Sequence, residues 1–167
     1  MKNILLILLL ISFSSTSQNL DSLWNVWNDE TQADNIRLKA MKEISWSGYL
    51  FSQPDSAFYF AQLQYDFAKS VSNKRWMADA LNTQGVSLCV QSNYEKALNY
   101  CNNSLIIYKT IGDINGIASS FNNIGNIYNS QSKYEQALIY SKKSLRIKKQ
   151  IGDKKEIAKS LGNIGNV

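Results

Sequence analysis

Between residues 121 and 145 the apolar positions fall into two runs with helical spacing. Phe121, Ile124, Gly125 and Tyr128 stand at 0, 3, 4 and 7, and Tyr134, Ala137, Leu138, Ser141 and Leu145 repeat that face. The polar stretch "NSQSK" between them predicts a turn, so the unit reads as two helices. "IGDKK" then predicts a break, with Gly152 suited to a helix C-cap and Asp153 to the next N-cap. Gly125 and Ala137 carry almost no side chain, which predicts close approach of the paired backbones.

The same pattern recurs. Residues 81–120 laid over 121–160 without a gap agree at 19 of 40 positions, so the period is 40 residues. The identities include Gly85 and Gly125, Tyr94 and Tyr134, Ala97 and Ala137, Leu105 and Leu145, and the two "IGD" triplets. Residues 41–80 fit the same frame as a diverged unit, with Ser45 at the place of Gly85, Ala57 at that of Ala97, Phe60 at that of Tyr100 and Ala78 at that of Ala118. Residues 161–167 begin a further unit. Residues 18–40 are read as the start of the first helix pair together with a lone helix, bearing Leu23, Trp24, Val26 and Trp27, that covers the open end of the stack.

The order of a small residue at Gly125, then Tyr128, Tyr134, Ala137 and Ser144 at these separations resembles the tetratricopeptide repeat, in a forty-residue form with an added stretch around "GD". HEAT and armadillo repeats have a similar period but lack this order. The resemblance implies an all-α fold, a right-handed α-solenoid of antiparallel helix pairs. It also implies that the first helix of each pair lines a concave face, and that this face binds a protein or peptide.

Four asparagines interrupt the apolar face of the third unit. With Phe121 as origin and 100° per residue, Asn122, Asn126 and Asn129 lie between about 80° and 140°, with Asn123 further round. A carboxamide both donates and accepts, so it suits the backbone of an extended peptide whatever its side chains are. Asparagine is also a mediocre helix former, and four of them cost about 2 kcal/mol against alanine. The candidate groove residues are therefore Asn82, Asn122, Asn123, Asn126, Asn129, Asn163 and Asn166, with Lys159 beside them. The competing reading is a plain solvated surface.

The chain opens with Lys2 and an apolar run from Ile4 to about Phe13, followed by small residues. That run is about half the ~20 residues a spanning helix needs, which predicts a secretory signal over residues 1–17 and an exported, periplasmic or extracytoplasmic protein. Export invites a disulfide between Cys89 and Cys101, yet on facing helices they are offset by about 7 Å axially on top of a spacing of about 9 Å. They are expected to stay unpaired. The net charge of +5 is concentrated between Lys142 and Lys159, where eight basic residues face Asp153 and Glu156. Lys142, Arg146 and Lys149 share a face on a second helix, which predicts a solvated outer surface and no nucleic-acid partner.

No histidine occurs. No nucleophile elbow, phosphate loop, metal-ligand spacing or paired carboxylates stand out, so no catalytic, cofactor or metal residues are assigned and no enzyme is expected in this segment. The leading expectation is an exported repeat module that binds a protein or peptide. Its rival is the N-terminal sensor region of a longer signalling protein, a histidine kinase or nucleotide cyclase, whose anchor and catalytic part lie beyond Val167. A stack stopping at Val167 would leave the last helix unpartnered and Ile164 uncovered, which favours the longer protein. A hydrolase or transferase domain downstream is a further, weaker rival.

Overall fold

The computed structural model describes residues 20–152 and 154–165, which are helical apart from short connections, with no strand among them. α1 covers residues 20–28. It is followed by α2 (Asp34–Glu43), which runs on as a π-helical segment over Ile44–Tyr49, and then by α3 (Pro54–Ser70), α4 (Lys74–Val90), α5 (Tyr94–Ile111), α6 (Ile114–Ser130), α7 (Tyr134–Ile151) and α8 (Lys154–Gly165). From α3 onward each helix packs on its predecessor, and α4 with α5 and α6 with α7 are the tightest pairs. The chain is an α-solenoid of antiparallel helix pairs.

The close approach read from Gly125 and Ala137 is built into both pairs. A Cβ on Gly125 would stand 3.1 Å from Ser141 Oγ and 3.3 Å from the Ala137 carbonyl, and one on Gly85 would stand 2.5 Å from Cys101 Sγ and 3.1 Å from the Ala97 carbonyl. A serine clamps each pair: Ser104 Oγ donates to the Ala78 carbonyl at 2.7 Å, and Ser144 Oγ donates to Ala118 at 2.8 Å. Leu88, Ala97, Cys101, Leu105, Ile124 and Ile127 form a core that continues from one pair into the next. Cys101 is buried there and Cys89 half-buried, and both are free thiols.

At the N-terminal end, Trp24 meets Phe60 edge-on at 5.2 Å and Trp27 meets Phe67 at 5.3 Å. The Arg37 guanidinium lies over both Trp27 and Phe67, and its Nε donates to the Trp27 carbonyl at 3.0 Å. Ser45, at the frame position of Gly85, is fully buried and donates back to the Lys42 carbonyl at 2.9 Å. It sits inside the π-helical segment, so here the helix widens where the other units use glycine. The reading of residues 1–17 as a secretory signal and of Asp153 as an N-cap lies outside the described residues. Asp113, one unit earlier, does cap its helix, accepting from the Gly116 N–H at 2.9 Å.

First helices sit close together, α2 against α4 and α4 against α6, while the backbones of successive second helices are spread further apart. That difference bends the stack with the first helices on the inside.

Candidate groove on the concave face

The inner face holds a cavity of about 540 Å³. Most of its wall comes from repeat-equivalent positions on three successive first helices: Lys42, Asn82 and Asn122 form one set, Glu43, Thr83 and Asn123 the next, and Asp79 and Ser119 a third. These positions are spaced i, i+3, i+4, the stripe a helix presents to one side. Trp46 closes one end, and Ser144 and Lys148 of α7 with Ser160 of α8 line the other.

The groove stripe thus differs from the one expected from Asn122, Asn126 and Asn129. It is centred on Ser119, Asn122 and Asn123. Asn126 lies one turn further along, exposed and outside the cavity wall, and Asn129 is half-buried and also outside it. The reason is rotational: at 100° per residue Ser119, Asn122 and Asn123 bracket a direction near 150° from Phe121, while Asn129 at about 80° points to the flank. Asn126 shares the direction but stands one turn beyond Asn122 and Asn123, the last α6 residues that line the cavity. Asn163, Asn166 and Lys159 lie outside the residues whose side chains are described.

Lys148 corrects a second expectation. It belongs to the basic run read as a solvated outer face, yet it is only 5% exposed and lines the cavity, while Lys142, Lys143, Arg146 and Lys149 are exposed. Its repeat equivalent is Tyr108, which is also buried and turned inward. One side of α7 therefore reaches the groove, where Lys148 follows Ser144 by one turn, and Tyr108 of α5 reaches a smaller neighbouring cavity.

Asp79 was not visible as a site residue from its sequence context. Its Oδ1 pairs with Lys42 Nζ at 2.8 Å and accepts from the Tyr108 hydroxyl at 3.4 Å, and its Oδ2 accepts from Gln64 Nε2 at 3.4 Å. One carboxylate on α4 thus ties together side chains from α2, α3 and α5. Burial pushes the Tyr108 hydroxyl well above its ordinary range, with the charges of Asp79 and Asp113 adding to it, so it stays a donor. A smaller cavity of about 240 Å³ adjoins through Lys42, Asp79 and Ser119, and Arg75 pairs there with Asp113 at 3.2 Å. The only sequence cue to Asp79 is the alternation of Asp79 and Ser119 at one frame position.

Charges in the main cavity are mixed, Lys42 and Lys148 against Glu43 and Asp79, and most of the remaining wall is hydroxyl and carboxamide. Such a surface forms hydrogen bonds with a polar chain; it has neither a one-signed field nor a greasy pocket. Among the described residues no three His, Cys, Asp or Glu side chains gather as a metal site would require, and no helix is long and apolar enough to cross a membrane.

No curated protein sequence matches the chain. Among solved structures it is similar to the crystal structure of BtubC (BKLC) from P. vanneervenii, with a TM-score of 0.67 at 16% identity, over 89% of this chain and 62% of that one. The chain therefore spans about three-fifths of the length of that protein, and the likeness is one of fold. The tetratricopeptide repeat family model matches residues 76–150, the part that holds α4 to α7. Tetratricopeptide repeats generally mediate protein–protein interaction, and the chain is an α-solenoid whose residues 76–150 match that family's model.

Proposed function

We propose that the chain is a protein-binding module whose concave cavity receives an extended segment of a partner protein. The observation that carries this reading is the wall itself: three successive units place polar side chains from the same frame positions around one cavity. Carboxamides both donate and accept, and hydroxyls do the same, so this wall can pair with the N–H and C=O groups of an extended chain. The mixed charge of the wall favours a polar, uncharged stretch over a strongly acidic or basic one.

A photo-crosslinking residue placed at Asn123 should capture a partner, while the same residue at Lys142 on the exposed side of α7 should not. Changing Asn122 and Asn123 together to alanine should then weaken binding of the identified partner segment by tenfold or more without loss of helicity. Equal crosslinking from both faces, or unchanged affinity, overturns the reading. The segment over residues 1–17 supports export, so the groove would work outside the cytoplasm; a tagged chain that fractionates with the cytoplasm would refute that part. If the chain is the outer region of a longer signalling protein, the same groove is its ligand-receiving part.

A further inference from the structure

We infer that Trp46 and Glu43 form a subsite for one positively charged side chain, an arginine or a lysine of the bound segment, at the α2 end of the concave cavity. This rests on the groove reading above and deepens it, giving the bound segment a charge requirement and a register.

The π-helical segment over Ile44–Tyr49 brings Trp46 to the cavity. Its repeat equivalents, Val86 and Asn126, stand on regular helix and lie outside the cavity wall, whereas Trp46 lines it. A π turn is wider and advances less than the ~100° per residue of an α-helix, so by residue 46 the side chain has swung back toward the line of Lys42. Glu43, the last α-helical residue before the segment, faces the same cavity about one turn away. A ligand can reach both groups. Trp46 is 37% exposed, and Glu43 is half-buried with its Oε2 accepting from the Ser47 hydroxyl at 3.0 Å, a bond that holds the carboxylate in place.

The other tryptophans are already engaged. Trp24 meets Phe60 edge-on, Trp27 lies under the Arg37 guanidinium, and the Trp76 ring has Lys42 Nζ 6.0 Å from its centre. Trp46 alone of the four is exposed, and among the described residues no cation of the chain lies over its ring. Glu43 likewise makes no ion pair among them, while its neighbour Lys42 is bound to Asp79 at 2.8 Å. An indole face beside a carboxylate attracts a cation through the ring quadrupole and a full negative charge together. Lys148 stands at the opposite end of the cavity, on α7, so a basic side chain is drawn to the Trp46 end and repelled from the other. One cation within an otherwise polar stretch therefore suits the mixed charge of the wall, and it sets where along the groove that stretch sits.

The test follows the indole N–H and side-chain carboxamide resonances of the isotopically labelled full chain during titration with short serine–glutamine peptides. One peptide carries a central arginine; its twin carries citrulline, which keeps the shape and loses the charge. The arginine peptide should bind about threefold more tightly than its twin, or better, and shift the Trp46 indole; a lysine peptide should share the advantage. Glu43→Gln and Trp46→Leu should each bring the preference close to unity with unchanged far-ultraviolet circular dichroism. Trp46→Phe should keep part of it, since phenylalanine retains a ring face. Equal binding of the twins, or a preference unmoved in Glu43→Gln, overturns the inference, and the glutamine variant decides the matter if Trp46→Leu fails to fold. Equal shifts of the Asn122 and Asn123 carboxamides by both twins, with none at Trp46, overturn it while leaving the groove reading in place. No response anywhere along the cavity counts against both.

Discussion

At the scale of single residues, the turns show how a polar residue can take a glycine's place. α3, α4 and α6 each end on a serine in the left-handed region, Ser72, Ser92 and Ser132, with φ of 55°, 62° and 58°. In each case the next backbone N–H returns to a carbonyl five residues back: Asn73 to Ala68, Asn93 to Leu88 and Lys133 to Tyr128. Gly112 and Gly152 fill the same role after α5 and α7, at φ 71° and 80°. The sequence announces the glycine caps because glycine is the residue that adopts this conformation freely. The serines read only as turn formers, since the strain appears once the helix directions are set. Left-handed backbone costs a side-chain-bearing residue about 1–2 kcal/mol, and glycine's greater unfolded freedom offsets part of that gain. Ser92→Gly and Ser132→Gly should each stabilise the chain by about 0.5 kcal/mol. Thermal melts would show it, and a lowered melting temperature would refute the strain argument.

At the scale of the helix pair, two small residues set the distance. Ala137 is fully buried with its carbonyl 3.3 Å from where a Gly125 Cβ would stand. Ala137→Leu should therefore lower stability by about 1–3 kcal/mol through overpacking. An unchanged melting curve would remove the pairing argument. The two glycines should also differ from each other. A methyl on Gly85 would press against Cys101 Sγ at 2.5 Å, whereas one on Gly125 meets Ser141 Oγ at 3.1 Å. Gly85→Ala should be clearly destabilising and Gly125→Ala much less so, because alanine's better helix propensity, worth about 1 kcal/mol, offsets a mild contact but not a severe one. Calorimetry on the two variants side by side would check the order. The pairing was legible in sequence because Gly85, Gly125, Ala97 and Ala137 recur in register; the difference between the glycines was not, since it depends on whether a cysteine or a serine faces them.

At the scale of the whole molecule, buried groups that resist ionisation couple the stack to pH. Burial raises the Cys101 thiol from 9.0 to about 12, with Cys89 adding slightly, and Tyr108 is shifted in the same direction for the same reason. Between these limits the unfolded chain sheds the proton while the folded chain keeps it, so the unfolded state binds fewer protons and stability falls as pH rises. The melting temperature should decline from about pH 9 upward, and Cys101→Ala should make that decline shallower. A flat profile over the same range, or an unaltered slope in the variant, would contradict the burial of the thiol. The cavity belongs to this scale as well: its wall draws on α2, α4, α6, α7 and α8, and the Lys42–Asp79 pair joins two units across it.

The sequence by itself determined the repeat, its period, the helix pairs and their close-packing glycines, because each of these is a short-range matter of spacing, side-chain volume and allowed backbone, stated again every 40 residues. It also pointed to asparagines as groove residues. Only the tertiary structure decided which ones line the cavity, placing Asn82, Asn122 and Asn123 in its wall and Asn126 and Asn129 outside. The same holds for Lys148, which lines the cavity, and for Asp79, which meets side chains from three other helices. A helical wheel gives direction around one axis; the depth and closure of a groove are set by where the neighbouring helices stand.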